Sequence, residues 1–261
     1  MIDDLGQTVP STGIPVRVVS LVPSLTEAVA LTVPGCLVGA TDYCIHPSTL
    51  DVVRVGGSKY PRIEAVAALE PDLVLANAEE NRPEDVKFLR DKGIPVWVMA
   101  AAATVPDALE SLHRLFTQIF EITEPSWLVE ARRLWEKSST ATEAVRARAV
   151  VPVWRKPWVI LGRDTFAGDV LRRLCIEVVY FGHNERYPRP ALSEIQSWFA
   201  SGKANLLVLP DEPYEFKADD GSEEFPGVRY LLVSGRFLTW YGPSLVEAHK
   251  VLSRSVNSAL G

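Results

Sequence analysis

Short runs of β-branched residues alternate with helical segments along most of the chain, and this alternation constrains the fold more than any other feature. Residues 16–22 (VRVVSLV) are typical of a buried strand. Ser24 and Glu27 follow with the spacing of a capping box, which predicts a helix over residues 25–32. A second strand is predicted over residues 36–40. Strand, helix and strand within so short a stretch are typical of a parallel α/β unit.

The same alternation begins again in the second half of the chain, so we predict an α/β lobe over residues 1–122 and another over residues 151–261. Residues 123–150 contain no strand-like run, and apolar residues such as Trp127 and Trp135 keep helical spacing there. The predicted fold class is therefore α/β, with two Rossmann-like lobes that have parallel sheets and are joined by one long backbone helix. The alternative is an ordinary packed helix within a single domain.

Composition argues against several classes of function. The net charge of −6 leaves no basic excess that would neutralise the phosphates of a nucleic acid. Three cysteines are too few for a disulfide framework or a zinc knuckle. The sequence contains no continuous apolar segment of about 18 residues, so we expect no membrane span.

Residues 1–15 determine the cellular location that the sequence predicts. They include two acidic residues and no hydrophobic run, so they do not resemble a signal peptide. The chain as written is expected in the cytoplasm. If the sequence is part of a longer precursor, a periplasmic or cell-surface location is expected instead.

Each predicted lobe carries a short helix, a buried strand and an acidic pair in the same order. In the first lobe the helix includes Glu64 and the acidic pair is Glu79-Glu80. In the second lobe the helix includes Glu194, and an acidic pair again follows the strand. Ligands of open parallel sheets bind outside the carboxyl ends of the strands. We therefore predict a ligand cleft between the lobes, lined by these strand ends.

The loops at the predicted strand ends are rich in aromatic and charged residues. Aromatic rings with interspersed arginines suit a bulky organic ligand, especially an anionic one. The alternative for each aromatic residue is that it fills the interior of its own lobe. The predicted ligand-binding residues are Tyr43, Lys59, Tyr60, Asn77, Glu79, Trp154, Arg155, Trp158, Arg163, Arg186, Tyr187, Tyr214, Trp240 and Tyr241.

Five short motifs mark the first lobe: RVVSLVPSLTE at 17–27, VGATDY at 38–43, RVGG at 54–57, LEPDLVL at 69–75 and GIPV at 93–96. Together they resemble the helical-backbone (class III) substrate-binding proteins that serve ABC importers of vitamin B12, siderophores and haem. In the second lobe, the strings WRKPW, DEPYEF and WYG are similar to a subgroup without signal peptides that is described as cobalamin-binding or as helical-backbone metal receptors.

The resemblance implies a binding protein without catalysis, which holds a corrinoid, a haem or a ferric siderophore as its ligand and requires no cofactor. It also implies that one exposed glutamate in each lobe docks on an ABC permease. Glu64 matches the first of these by its place in the sequence IEAV, and Glu194 is the expected second. The vitamin B12 receptors have a stacking tryptophan where this chain has Asn77. We expect a monomer.

Two alternatives remain open from the residues alone. The first is a receptor for a bare Zn, Mn or Fe ion, with Asp42, Cys44 and His46 as ligands in a spacing that matches no strong motif. The second is a cytoplasmic enzyme on the same fold, in which the acidic pairs Glu79-Glu80 and Asp211-Glu212 act as general acids and bases. The sequence has no nucleophile elbow, Walker loop or dinucleotide fingerprint.

Overall fold

The computed structural model describes residues 1–10, 13–137 and 144–261, apart from the side chain of residue 137. The described chain divides into two compact units. The N-terminal unit comprises Met1–Ala101, Leu109–Val129 and Tyr241–Pro243. The C-terminal unit comprises Ala102–Ala108, Glu130–Trp240 and Ser244–Gly261. The predicted division at residues 122 and 150 stays a prediction.

The first part of the chain alternates strands and helices. The elements are β1 (Val18–Ser20), α1 (Pro23–Thr32), β2 (Leu37–Ala40), β3 (Val53–Arg54), α2 (Ile63–Ala68), β4 (Leu73–Asn77), α3 (Pro83–Asp91), β5 (Val96–Met99), α4 (Val105–Ile119) and α5 (Ser126–Lys137). The five strands form a parallel sheet in the order β3-β2-β1-β4-β5. Its central strands β1 and β4 are buried along their whole length, as expected of parallel strands covered on both faces.

The second part of the chain repeats the alternation. Its elements are β6 (Ala147–Val150), β7 (Pro152–Trp154), β8 (Val159–Ile160), α6 (Phe166–Arg173), β9 (Ile176–Val178), α7 (Leu192–Ala200), β10 (Leu206–Pro210), the 3-10 helix Ser222–Glu224, β11 (Tyr230–Val233), α8 (Gly235–Thr239) and α9 (Ser244–Leu260). Four strands form a parallel sheet in the order β11-β10-β6-β9, and β7 and β8 form a separate antiparallel pair.

The two sheets share one connectivity, which confirms the predicted internal repeat. In each, the first strand (β1 or β6) lies between β2 or β9 on one side and β4 or β10 on the other, and the last strand (β5 or β11) lies beyond β4 or β10. The first sheet has one additional strand, β3, at the edge beyond β2. Helices α2 and α7 directly precede the equivalent strands β4 and β10, so Glu64 and Glu194 occupy equivalent first turns. The order reverses beside β1 and beside β6, and ligand crevices of such sheets form at this reversal.

The prediction of one long helix over residues 123–150 is wrong at the C-terminal end of that range. Helix α5 covers Ser126–Lys137, residues 138–143 lie outside the described ranges, and residues 147–150 form strand β6. Ala147 and Ala149 are buried whereas Arg148 is exposed, which is the two-residue period of a strand. Alanine and arginine are strong helix formers, so their intrinsic preference concealed this alternation.

The predicted capping box is wrong as well. Helix α1 begins at Pro23, which occupies the first turn, and its N-cap residue Val22 makes no side-chain capping bond. Ser24 therefore lies inside the helix. In the part of the chain that is described, none of these helices has both the length and the apolar content needed to cross a bilayer.

Candidate functional site

In the N-terminal unit, the loops that follow the parallel strands meet at one edge of the sheet. Residues 41–52 follow β2, residues 55–62 follow β3, and residues 78–82 follow β4. Four predicted ligand-binding residues are exposed in these loops, and we call them the N-terminal strand-end face: Tyr43, Lys59, Tyr60 and Glu79. Tyr43 is 67% exposed and Tyr60 is 69% exposed, so both rings are available to a ligand.

A network of hydrogen bonds holds these loops in place. The Asn81 side chain accepts a bond of 2.8 Å from the backbone N–H of Asn77 and donates one of 2.9 Å to the carbonyl of Ser58. Arg54 donates to the carbonyls of Thr41 at 3.0 Å and Cys44 at 2.8 Å. Loops that are fixed in this way offer a preorganised binding surface.

Sequence reasoning missed Asn81, although an asparagine shortly after a buried strand is a signal for a side-chain-stabilised turn. It also missed Arg82, whose guanidinium carbon lies 4.9 Å from the centre of the Tyr60 ring. Arg82 forms two hydrogen bonds to Asp85, of 2.7 and 2.8 Å. The cation and the ring therefore stabilise each other, and Asp85 fixes the cation.

Asn77 and Tyr241 lie close together in the interior of the N-terminal unit. The amide nitrogen of Asn77 donates a hydrogen bond of 2.6 Å to the Tyr241 hydroxyl, and its amide oxygen accepts one of 2.8 Å from the N–H of Glu79. Burial raises the pKa of Tyr241 well above its usual value, and the charges of Glu80 and Glu79 raise it further. We interpret both residues as supports of the loop, in place of the predicted ligand contacts.

In the C-terminal unit, Trp154 is the most exposed of the predicted aromatic residues. Its side chain is 45% exposed, and the ring of Tyr214 packs against it edge-on at 5.6 Å. The Tyr214 hydroxyl donates a hydrogen bond of 2.7 Å to Asp220, which lowers the pKa of that carboxyl. Tyr214 is thus a partly buried support that orients Trp154.

Arg155 was predicted to neutralise acidic groups of the ligand, but the structure surrounds it with carboxylates of the protein. The side chain is 8% exposed and forms ion pairs with Asp220, Glu223 and Glu224. Its guanidinium carbon also lies 5.5 Å from the centre of the Trp158 ring. Because the charge is already compensated, we interpret Arg155 as a structural residue that closes the loop after β10.

Two further predicted tryptophans are part of the interior. Trp158 stacks on Phe216 with ring centres 6.2 Å apart and packs edge-on against Phe225 at 5.7 Å. Trp240 is buried, and its indole N–H donates a hydrogen bond of 3.1 Å to Glu212. Burial raises the pKa of Glu212, and the bond from Trp240 opposes this shift. Both rings match the alternative that was stated for the aromatic residues.

The remaining predicted residues of this unit lie on two adjoining loops. Arg163 is exposed and pairs with Asp164 at 2.6 Å, and Arg186 donates to the carbonyl of Asp164. A Cβ atom at Gly162 would lie 2.4 Å from the carbonyl oxygen of Glu185, so the loops touch through their backbones and only glycine fits there. The exposed or partly exposed residues form what we call the C-terminal strand-end face: Trp154, Arg163, Arg186 and Tyr187.

The structure does not assemble the residues of the bare-metal alternative. Cys44 is buried, and its sulfur lies 3.0 Å from the Thr26 hydroxyl and 3.1 Å from the Thr41 hydroxyl. Burial raises the pKa of the Cys44 thiol, which opposes the thiolate form that binds metals. Within residues 1–10, 13–137 and 144–261, no three histidine, cysteine, aspartate or glutamate side chains are grouped as metal ligands.

Comparison with known proteins then decides the family. Residues 18–201 match the family model that is described as Periplasmic binding protein. The chain belongs to this family. An uncharacterised ABC transporter substrate-binding lipoprotein of Bacillus subtilis, YvrC, is 28% identical over 93% of this chain and 80% of its own length. The vitamin B12-binding protein of Vibrio parahaemolyticus is 23% identical over 69% of this chain and 66% of its own length.

A solved structure shares the fold. The periplasmic haem-binding protein from Pseudomonas aeruginosa superposes with a TM-score of 0.76 at 20% identity and covers 95% of both chains. The α/β fold with parallel sheets in two lobes and the resemblance to substrate-binding proteins are thus confirmed. The expected cytoplasmic location finds no support, because the family is described as periplasmic and the Bacillus relative as a lipoprotein.

Proposed function

We propose that this protein is the substrate-binding component of an ABC importer and that it carries a bulky organic ligand or metal chelate of the cobalamin, haem or siderophore type. Membership of the periplasmic binding protein family and the descriptions of its relatives support this role. We place its action outside the cytoplasm, in the periplasm or at the cell surface. The role requires no catalytic step.

The observation that carries the proposal is the exposure of large aromatic rings at the carboxyl ends of parallel strands. Tyr43 and Tyr60 occupy this position in the N-terminal unit. In the C-terminal unit, Trp154 ends β7, the short strand that follows β6 after a single residue. Exposed rings on loops that are themselves fixed are typical of binding surfaces rather than of ordinary solvent-facing residues. Such rings bind planar or bulky organic molecules by stacking.

The charges beside these rings favour a ligand with acidic groups. In the described part of the chain, the ammonium group of Lys59 has no carboxylate within 4 Å. Arg163 and Arg186 add two guanidinium groups on the C-terminal strand-end face, although Asp164 already engages both of them. A haem propionate, the phosphodiester of a cobalamin or a carboxylate of a siderophore would find charge-assisted hydrogen bonds here.

We further propose that Glu64 and Glu194 dock the protein on the permease. Both residues are exposed, and both lie in the first turn of the helix that precedes the equivalent strands β4 and β10. Glu194 accepts a hydrogen bond of 3.1 Å from the Tyr180 hydroxyl, which orients its carboxylate. An exposed carboxylate in a fixed position suits an ion pair with an arginine of a partner.

Titration of the purified protein with cyanocobalamin, haemin and a ferric hydroxamate siderophore, followed by tryptophan fluorescence, tests the ligand class. We expect saturable binding of at least one of them, and Tyr43→Ala and Trp154→Ala variants that bind it about tenfold more weakly or worse. Tyr230→Ala is the matched control, because Tyr230 is an exposed tyrosine at the opposite, amino end of β11. The proposal fails if none of the three ligands binds, or if the control variant loses as much affinity as the other two.

A further inference from the structure

A pocket lies in the C-terminal unit at the amino ends of the parallel strands, whereas the C-terminal strand-end face was defined by the loops that follow the strands. Its volume is about 490 Å³, and Arg146, Asn205 and Arg229 from the segments that lead into β6, β10 and β11 line it. A volume of this size is within the range of small-molecule sites, which is about 300–1,000 Å³. The periplasmic ligand proposed above does not require this pocket.

The pocket is positively charged. Its lining includes two arginines and no acidic residue among those that the structure describes. Arg146 donates a hydrogen bond of 2.6 Å to the neutral side chain of Asn257, and Arg229 is exposed. Neither guanidinium has a carboxylate within 4 Å in the described ranges, whereas nearby Arg148 pairs with Glu177 at 3.0 Å. The two arginines are therefore available to an anion.

Apart from Asn205, the remaining side chains in the wall of the pocket are apolar. Phe199 at the end of α7, Val228 before β11 and Leu260 at the end of α9 contribute to it. Phe199 is held by an edge-on contact with Phe225 at 5.4 Å. A molecule that filled the pocket would therefore place an apolar body on these side chains and an acidic group near Arg146 and Arg229.

We propose that this pocket binds a small amphiphilic anion, which has a carboxylate or phosphate head and an aryl or alkyl body. The walls come from α7, α9 and the segments that lead into β6, β10 and β11, so a bound ligand would contact five separate parts of the C-terminal unit. A ligand that binds only the folded form stabilises it by mass action. Occupancy of the pocket therefore raises the melting temperature of the protein.

The test uses the full chain with no tag at the C-terminus, since Leu260 lines the pocket. Phenyl phosphate, phenylacetate, inorganic phosphate and acetate are titrated by calorimetry and by thermal unfolding at low and at physiological ionic strength. We expect at least one aryl anion to bind saturably with a dissociation constant of about 1 mM or below, more tightly than the inorganic ion or acetate. Preference for one of the two aryl anions identifies the head group.

The Arg229→Gln variant decides whether the pocket is responsible. Its guanidinium is exposed and supports no described ion pair, so the variant is expected to fold normally and to bind the aryl anion about tenfold more weakly or worse. Arg148→Gln is the matched control, because Arg148 lies two residues after Arg146 but pairs with Glu177 and does not line the pocket. Absence of saturable binding, equal affinity for aryl and non-aryl anions, or unchanged binding by Arg229→Gln each overturns the proposal.

Discussion

The Asn77 amide donates a hydrogen bond of 2.6 Å to the hydroxyl of Tyr241, although the two residues are 164 positions apart in the sequence. The bond attaches residues 241–243 to the N-terminal unit, to which they belong by their contacts. The oxygen of the Asn77 amide accepts a hydrogen bond from the N–H of Glu79, so one buried side chain fixes both the turn after β4 and a distant segment.

We predict that Tyr241→Phe lowers the free energy of unfolding by about 1–2 kcal/mol, because the buried Asn77 amide loses one of its hydrogen-bond acceptors. The amide keeps its second acceptor, the Ala100 carbonyl at 3.2 Å, which limits the loss. Urea unfolding measures the difference. Tyr230→Phe removes an exposed hydroxyl and is expected to change stability by less than about 0.5 kcal/mol. Equal effects of the two variants would contradict the role of the buried bond.

Arg155→Gln is predicted to destabilise the protein by about 1–3 kcal/mol, because Asp220, Glu223 and Glu224 then repel one another without a compensating cation. Arg163→Gln is the control, since the exposed pair of Arg163 with Asp164 contributes little in water. Chemical denaturation of both variants provides the comparison. If Arg155 were a ligand contact instead, its replacement would weaken binding and leave stability nearly unchanged.

The Asp169 carboxylate makes the stability of the folded protein depend on pH in the acid range. Its buried carboxylate accepts hydrogen bonds of 2.9 Å from the N–H of Val105 and of 2.7 Å from Arg173. Although burial alone would raise its pKa, these bonds and those from Arg172 lower the pKa below the ordinary value of 3.8. The carboxylate therefore contributes stability above the unfolded-state pKa, and this contribution is lost as the pH falls through the lower folded-state value.

For Asp169→Asn we predict a loss of about 2–4 kcal/mol at neutral pH, because buried Arg173 loses its charged partner. The difference in the free energy of unfolding between the variant and the wild type is expected to shrink as the pH falls below about 4. Denaturant unfolding across this pH range measures both quantities. The exposed residue Asp164, replaced by asparagine, serves as the control and is expected to show no comparable convergence. A difference that stays constant with pH would show that titration of Asp169 does not contribute.

Charge reversal at Glu64 or Glu194 is predicted to reduce uptake of the ligand about tenfold or more and to leave its binding to the purified protein unchanged. Reconstituted transport with the cognate permease measures uptake, and fluorescence titration measures binding. Glu247→Arg reverses an exposed charge on α9, which is neither of the two proposed docking helices, and is expected to leave transport intact. Normal uptake by a double Glu64→Arg, Glu194→Arg variant would exclude the docking role.

Much of the fold could be predicted because local pattern and tertiary packing agree. The strands β1, β4 and β10 are buried throughout and apolar except for their last residues Ser20 and Asn77, as is typical of strands covered on both faces. Strand β6 could not be predicted in the same way, because the alternation in Ala147–Val150 extends over too few residues to override their helical preference.

The candidate site was less predictable, because exposure depends on partners that are distant in sequence. Tyr43, Tyr60 and Trp154 are exposed as a ligand contact requires. Arg155 forms ion pairs with carboxylates that lie 65 to 69 positions further along the chain, and no local spacing in the sequence indicates these pairs. Tyr241 is likewise buried through contacts made far from it in sequence. Aromatic and arginine residues in loops therefore mark the region of a site, while tertiary contacts decide which of them face outward.

The shared connectivity of the two sheets gives every molecule an internal reference. Helix α2 and strand β4 occupy in one unit the positions that α7 and β10 occupy in the other. Both units are always measured at the same concentration, at the same temperature and in the same buffer. Hydrogen exchange measured on both halves of one sample can therefore separate what the common scaffold determines from what the divergent loops have added. Differences between equivalent strands in their exchange rates would trace how two copies of one architecture have specialised within a single chain.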